Sequence, residues 1–160
     1  MPSPDWTAWM RIALDEARGA ADRGEVPVGA ALVAFPDGEP GGLLLARAGN
    51  RTRELCDASA HAEILALREA ERAAGDFRLD HLGHVACVST IEPCLMCLGA
   101  LAHARIRRVV FGVRDEKFGG LFGRFGLQEH PFFADWEVSE GVLAEESAAL
   151  LREFFKGKRP

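Results

Sequence analysis

The chain lacks any run approaching the roughly 20 apolar residues that a bilayer crossing needs, which excludes a membrane-spanning helix. Its first residues, Met1-Pro2-Ser3-Pro4-Asp5-Trp6, lack a basic stretch leading into an apolar core. No secretory signal is therefore expected, and the cytoplasm is the default compartment. Cysteines are few, four in 160 residues, and without an export signal they argue against a disulfide framework. Positive charge is not in excess either. The net charge of −5 predicts no general affinity for nucleic acid, although a local basic patch stays compatible with it. No repeat, low-complexity tract or linker divides the sequence, so residues 1–160 read as a single domain, long enough for one core and too short for two.

What is present reads as alternating helices and short strands. Trp6, Trp9, Met10, Ala13, Leu14 and Ala17 recur at helical spacing between Pro4 and about Arg23. Ser3 is the expected N-cap of that helix and Gly24 its stop. Val28 to Phe35 predicts a buried strand, Pro36 to Gly42 a turn, and Leu43 to Ala48 the returning strand of a hairpin. After a polar loop from Asn50 to Ala58, a helix is predicted from Ser59 to about Ala74. Val85 to Ile91 reads as a strand, Leu95 to Ala104 as a helix and Arg108 to Val113 as a strand. Trp136 to Ser139 predicts a last strand and Leu143 to Phe155 a closing helix. This order implies an α/β layer sandwich around a mixed sheet. Lys117 to Phe133, rich in Gly and Phe, fits no regular element.

Two fragments carry the chemistry: His61-Ala62-Glu63 and Pro93-Cys94-Leu95-Met96-Cys97. A spacing of three places both sulfurs on one face at a helix start, about one turn apart. Free backbone N–H groups and the positive helix end favour thiolates there. His61 lies in the expected first turn of its own helix. Two thiolates and an imidazole suit tetrahedral Zn2+, one per chain, with the fourth position left for water. His103 follows Cys97 by six residues, and at ~100° per residue it points away from the sulfurs. Geometry alone does not rule out His81, His84 or His130, but nothing in their spacing recruits them.

Glu63 supplies a carboxylate two residues beyond His61. Zinc lowers the pKa of bound water to about 7, and such a carboxylate reaches that water and carries protons both ways. The pattern H-x-E followed by P-C-x-x-C is the signature of zinc base deaminases. Blander readings stand beside this one: a redox C-x-x-C pair, a glutamate serving only the helix dipole, or a non-catalytic zinc domain with a fourth ligand. Cys56 reads as an incidental loop cysteine. Cys87 reads as a small core residue, Met96 as packing, and the Trp6, Trp9 and Met10 group as core.

The chain resembles the cytidine-deaminase-like superfamily, and its bacterial tRNA-specific adenosine deaminases in particular. The resemblance runs through Glu25-Val26-Pro27-Val28-Gly29-Ala30, Asn50-Arg51, His61-Ala62-Glu63-Ile64, Glu92-Pro93-Cys94-Leu95-Met96-Cys97 and Arg105 to Gly112, then Arg114-Asp115 and Lys117. It implies a three-layer α-β-α sandwich with a central five-stranded mixed sheet, commonly a homodimer. It also implies zinc ligands at His61, Cys94 and Cys97 and a proton shuttle at Glu63. Asn50 would contact the base and the Ala62 backbone would line the pocket.

The substrate expected first is the wobble adenosine of a tRNA anticodon loop, converted to inosine. Arg105, Arg107, Arg108 and the tail Lys156-Gly157-Lys158-Arg159 offer local positive charge for it. A free base, nucleoside or nucleotide (guanine, cytosine or cytidine, adenosine) is the alternative. Phe118 to Gly126 departs furthest from the family pattern and reads as a mobile aromatic flap or an interface patch.

Overall fold

The computed structural model describes residues 3–37 and 39–158. Gly38 of the hairpin turn, Arg159 of the basic tail and the N-terminal Met1-Pro2 lie outside the described residues.

Alternation along β1 (Gly29–Phe35) builds a core on each side of the sheet. Ala31 and Val33 pack with Trp6, Met10, Ala13 and Leu14 of α1 (Trp6–Asp22). Leu32 and Ala34 face the opposite way, towards Ala66, Leu67 and Ala70 of α2 (Ala62–Ala74). The remaining elements are β2 (Leu43–Gly49), β3 (His84–Ile91), α3 (Leu95–His103), β4 (Arg108–Val113), β5 (Glu137–Ser139) and α4 (Ala144–Lys156). The sheet order is β2-β1-β3-β4-β5. β1 runs antiparallel to β2 and β3, while β3, β4 and β5 are mutually parallel. With α1 and α4 on one face and α2 and α3 on the other, this is the expected three-layer sandwich with a five-stranded mixed sheet.

Close approach of helix and sheet explains one glycine. A Cβ at Gly29 would overlap the Ala13 carbonyl oxygen, so α1 lies against β1 only because that position carries no side chain. Cys87 is fully buried in β3 and Cys56 is exposed in a loop, as expected.

Helix starts differ from the expectation. Asp5, not Ser3, caps α1, its carboxylate accepting from the Thr7 N–H at 3.0 Å. Ser59 does not open α2. Its N–H and hydroxyl both donate to Asp57 Oδ1, at 2.8 and 2.7 Å. This local turn competes with helix and delays the helix start to Ala62. His61 is therefore the N-cap rather than a first-turn residue.

Candidate metal and catalytic site

The site forms where the N-termini of α2 and α3 meet on one face of the sheet. β3 ends at Ile91, and Glu92-Pro93 turns the chain directly into α3, capped by Cys94. An N-cap side chain ordinarily accepts from a free N–H of the first turn. Neither His61 nor Cys94 does so. Their side chains turn to each other instead.

Cys94 Sγ lies 3.6 Å from His61 Nδ1 and 3.6 Å from Cys97 Sγ, and Cys97 Sγ lies 3.7 Å from His61 Nδ1. Tetrahedral bonds of about 2.3 Å to sulfur and about 2.0–2.1 Å to nitrogen separate two sulfurs by about 3.8 Å and a sulfur from a nitrogen by about 3.6 Å. The triangle therefore fits zinc as it stands. Among the described residues no fourth His, Cys, Asp or Glu joins the cluster. His81, His84, His103 and His130 are all exposed.

Without metal, the three ligands share protons unequally. The hydrogen bond between the two sulfurs draws the Cys94 thiol down to about 4, with His61 beside it acting in the same sense. That same bond, together with burial, pushes the Cys97 thiol up. His61 is raised, chiefly by its hydrogen bond with Cys94. Zinc must displace the protons that Cys97 and His61 hold too firmly, so its apparent affinity should rise with pH, by about tenfold per pH unit for each proton displaced. Competition against a chelator between about pH 6 and about pH 8 measures this, and a flat profile would contradict it.

Glu63 occupies the first turn of α2 and is 3% exposed. The Ser89 hydroxyl, from β3, donates to its Oε1 at 2.6 Å, and Oε2 lies 3.3 Å from Cys97 Sγ. Burial raises the Glu63 pKa against the opposing pull of Ser89. A carboxyl so placed takes up and releases a proton nearer neutrality than an exposed glutamate. Ser89 escapes sequence reading because only the pairing of β3 against the helices brings it within reach.

Asn50 is buried just after β2, its N–H donating to the Val28 carbonyl at 3.0 Å. The next residue, Arg51, donates from its N–H to the Ala60 carbonyl at 3.0 Å. That bond ties the Asn50 strand end to the segment leading into His61, and Ala62 is buried at the first position of α2. The structure thus gathers His61, Ala62, Glu63, Cys94 and Cys97, with Asn50 on the adjoining segment.

Two buried carboxylates, Glu25 and Glu92, shape the surrounding loops. Glu25 accepts from the Glu54 and Arg53 N–H groups at 2.8 and 3.2 Å and from the Thr52 hydroxyl at 3.4 Å. Burial pushes its pKa up, but these donors together outweigh burial and hold it below the ordinary value. Glu92 Oε2 accepts from three successive N–H groups, Leu121 at 3.0, Phe122 at 2.8 and Gly123 at 3.0 Å, and its Oε1 from Asp115 N–H at 3.2 Å. The Gly120 N–H donates to the Pro93 carbonyl at 3.0 Å, and Gly119 pairs with Cys94 in an isolated antiparallel bridge. Leu121 is fully buried. The expected mobile flap is instead pinned to the turn that carries Cys94. A Cβ at Gly123 would collide with the Asp115 carbonyl oxygen, which explains one of its glycines.

Residues 4–113 match the cytidine and deoxycytidylate deaminase zinc-binding region. The chain belongs to this deaminase family. A tRNA-specific adenosine deaminase of Agrobacterium fabrum (strain C58) is 44% identical over 155 residues, covering 96% of this chain and 95% of the relative. A solved structure from studies of A-to-I editing by tRNA:A34 deaminases at the wobble position of transfer RNA superposes with a TM-score of 0.78 at 42% identity, covering 91% of this chain and 99% of the other. The guanine deaminase of Nitrosomonas europaea superposes with a TM-score of 0.75 at 28% identity, over 96% and 85% of the two chains. As a zinc-dependent deaminase, the protein is expected to purify with about one zinc per chain. Cys94→Ala should retain less than about a tenth of that. It should also lose the drop in thermal midpoint that a chelator causes in the wild type. Full zinc content in the variant would remove Cys94 from the ligand set.

Proposed function

We propose that this chain hydrolyses the exocyclic amine of the wobble adenosine in a tRNA anticodon loop, leaving inosine and releasing ammonia. The observation that carries the reading is a full-length likeness to tRNA-specific adenosine deaminases in a chain whose buried Glu63 lies 3.3 Å from Cys97. His61, Cys94 and Cys97 hold the zinc. Bound there, zinc supplies water that is nucleophilic at neutral pH. Glu63 accepts a proton from the attacking water and passes it to the ring nitrogen. It then takes the second proton from the hydroxyl added to the ring carbon and gives it to the amine; the C–N bond breaks, the hydroxyl oxygen becomes the carbonyl of inosine and ammonia leaves. Ser89 holds the carboxyl in place by the hydrogen bond at 2.6 Å. Asn50 contacts the base, the Ala62 backbone lines the pocket, and burial around Glu63 excludes bulk water. A base must leave its stack to reach such a recess, which a single-stranded loop allows at little cost.

The working form is a homodimer in the cytoplasm. Among the described residues no helix is long and apolar enough to cross a membrane.

A second reading, deamination of a free base, is favoured by the net charge of −5 and the likeness to a guanine deaminase. One experiment separates the two. Zinc-loaded protein is incubated with an anticodon stem-loop and with a panel of free bases and nucleosides, and inosine and ammonia are read. Inosine in the RNA supports the first reading; ammonia from free guanine or cytosine with the RNA untouched overturns it.

A further inference from the structure

We propose that the loop from Lys117 to Phe125 is a fixed nucleic-acid platform beside the site. Phe118 and Phe125 stack on nucleotides flanking the reacting base, and Lys117 and Arg124 hold their phosphates. The inference rests on the RNA reading above and adds residues that reading does not use.

Its first support is rigidity. Glu92 gathers the Leu121, Phe122 and Gly123 N–H groups. Asp115 Oδ1 accepts from the Lys117 and Phe118 N–H groups at 3.0 and 3.2 Å. The Phe125 N–H donates to the Gly119 carbonyl at 3.2 Å, which returns Phe125 to the neighbourhood of Phe118. Position is the second. Gly119, next to Phe118, is the bridge partner of the zinc ligand Cys94.

The three phenylalanines also have different fates. Phe122 turns inward, 6.1 Å from the Phe111 ring and 4.3 Å from the Arg114 guanidinium. Phe118 and Phe125 stay 63% and 47% exposed on the same loop. A single exposed aromatic needs no explanation. Two on a pinned loop whose Gly119 pairs with Cys94 form a stacking surface beside the zinc site.

Charge selects the occupant. Arg107, Arg108 and Arg114 pair with Asp135, Glu137 and Glu140 respectively. Lys117 and Arg124 are exposed and make no ion pair among the described residues. Two cations free of ion pairs, set beside exposed rings on a loop that also carries Asp115 and Glu116, match a single strand with its phosphates better than another protein surface.

The test uses zinc-loaded wild type, F118A/F125A, K117A/R124A and F118W/F125W, with an anticodon-type RNA stem-loop containing a target adenosine. RNA binding is read by anisotropy, and KM and kcat by inosine formation. Zinc content and thermal midpoint are checked in parallel. Loss of stacking should raise Kd and KM of F118A/F125A by about 5- to 150-fold per base released, with kcat and zinc content unchanged. The tryptophan pair should retain wild-type affinity. K117A/R124A should flatten the plot of log affinity against log salt by about 0.7 for each phosphate no longer neutralised.

Unchanged Kd and KM in F118A/F125A, with an active wild type, would overturn this inference alone. So would loss of dimer mass in that variant with RNA affinity unaltered, since the patch would then belong to a second copy. A wild type that neither binds nor deaminates the RNA would overturn the function and this inference together.

Discussion

Glu63→Gln is expected to keep its full complement of zinc and to release ammonia about 10²–10⁴-fold more slowly. The amide preserves the volume of the side chain, and its oxygen can still accept from Ser89, so the pocket should stay intact. What it loses is the ability to take a proton from water and return it to the leaving amine. The measurement is ammonia release with zinc content on the same sample. Undiminished turnover would take the proton-carrying role from Glu63, and loss of zinc would mean that the carboxyl supports the metal instead. Ser89→Ala should be milder because it removes the hydrogen bond that orients the carboxyl but keeps the group that carries the proton.

The largest stability effect is expected at Glu92. Glu92→Ala deprives four backbone N–H groups of their acceptor, on residues 115, 121, 122 and 123. Each buried N–H left unpaired costs about 1–3 kcal/mol. Even two left dry would consume a large share of the ~5–15 kcal/mol that holds a typical domain folded. Glu92→Gln keeps one acceptor oxygen but turns an NH₂ group towards N–H donors, so it should fall between the wild type and the alanine variant. Urea unfolding of the zinc-loaded protein reads the stability, and amide hydrogen exchange over residues 117–126 reads the loop. A wild-type midpoint with unchanged exchange in Glu92→Ala would show that the nest of hydrogen bonds contributes nothing.

The metal ligands and the regular elements are legible in the sequence because each leaves a local signature. Cys94 and Cys97 advertise a shared face by their spacing of three. His61 and Glu63 make sense only with that pair in view. The strands announce themselves as short apolar runs, and α1 and α4 as periodic ones, so their types follow from the pattern and their ends to within a few residues.

Distance along the chain hides the rest. Glu92 meets the backbone it organises between 23 and 31 positions later. Nothing in Phe118 to Gly126 alone shows that a carboxylate elsewhere will order it, and the glycines read as mobility when they are room for close approach. Ser89 stands 26 positions from Glu63, and its hydroxyl looks like any strand serine until the layers are stacked. Asn50 stands out only through family resemblance, since composition alone leaves it a turn residue.

X-ray absorption at the zinc edge of the purified protein tests the three-ligand site most directly. Two sulfurs at about 2.3 Å and two nitrogen or oxygen neighbours at about 2.0–2.1 Å are expected, with the scattering of only one imidazole. A third sulfur, a second imidazole or a zinc-free protein would contradict the picture of a metal held by His61, Cys94 and Cys97 with one corner open to water.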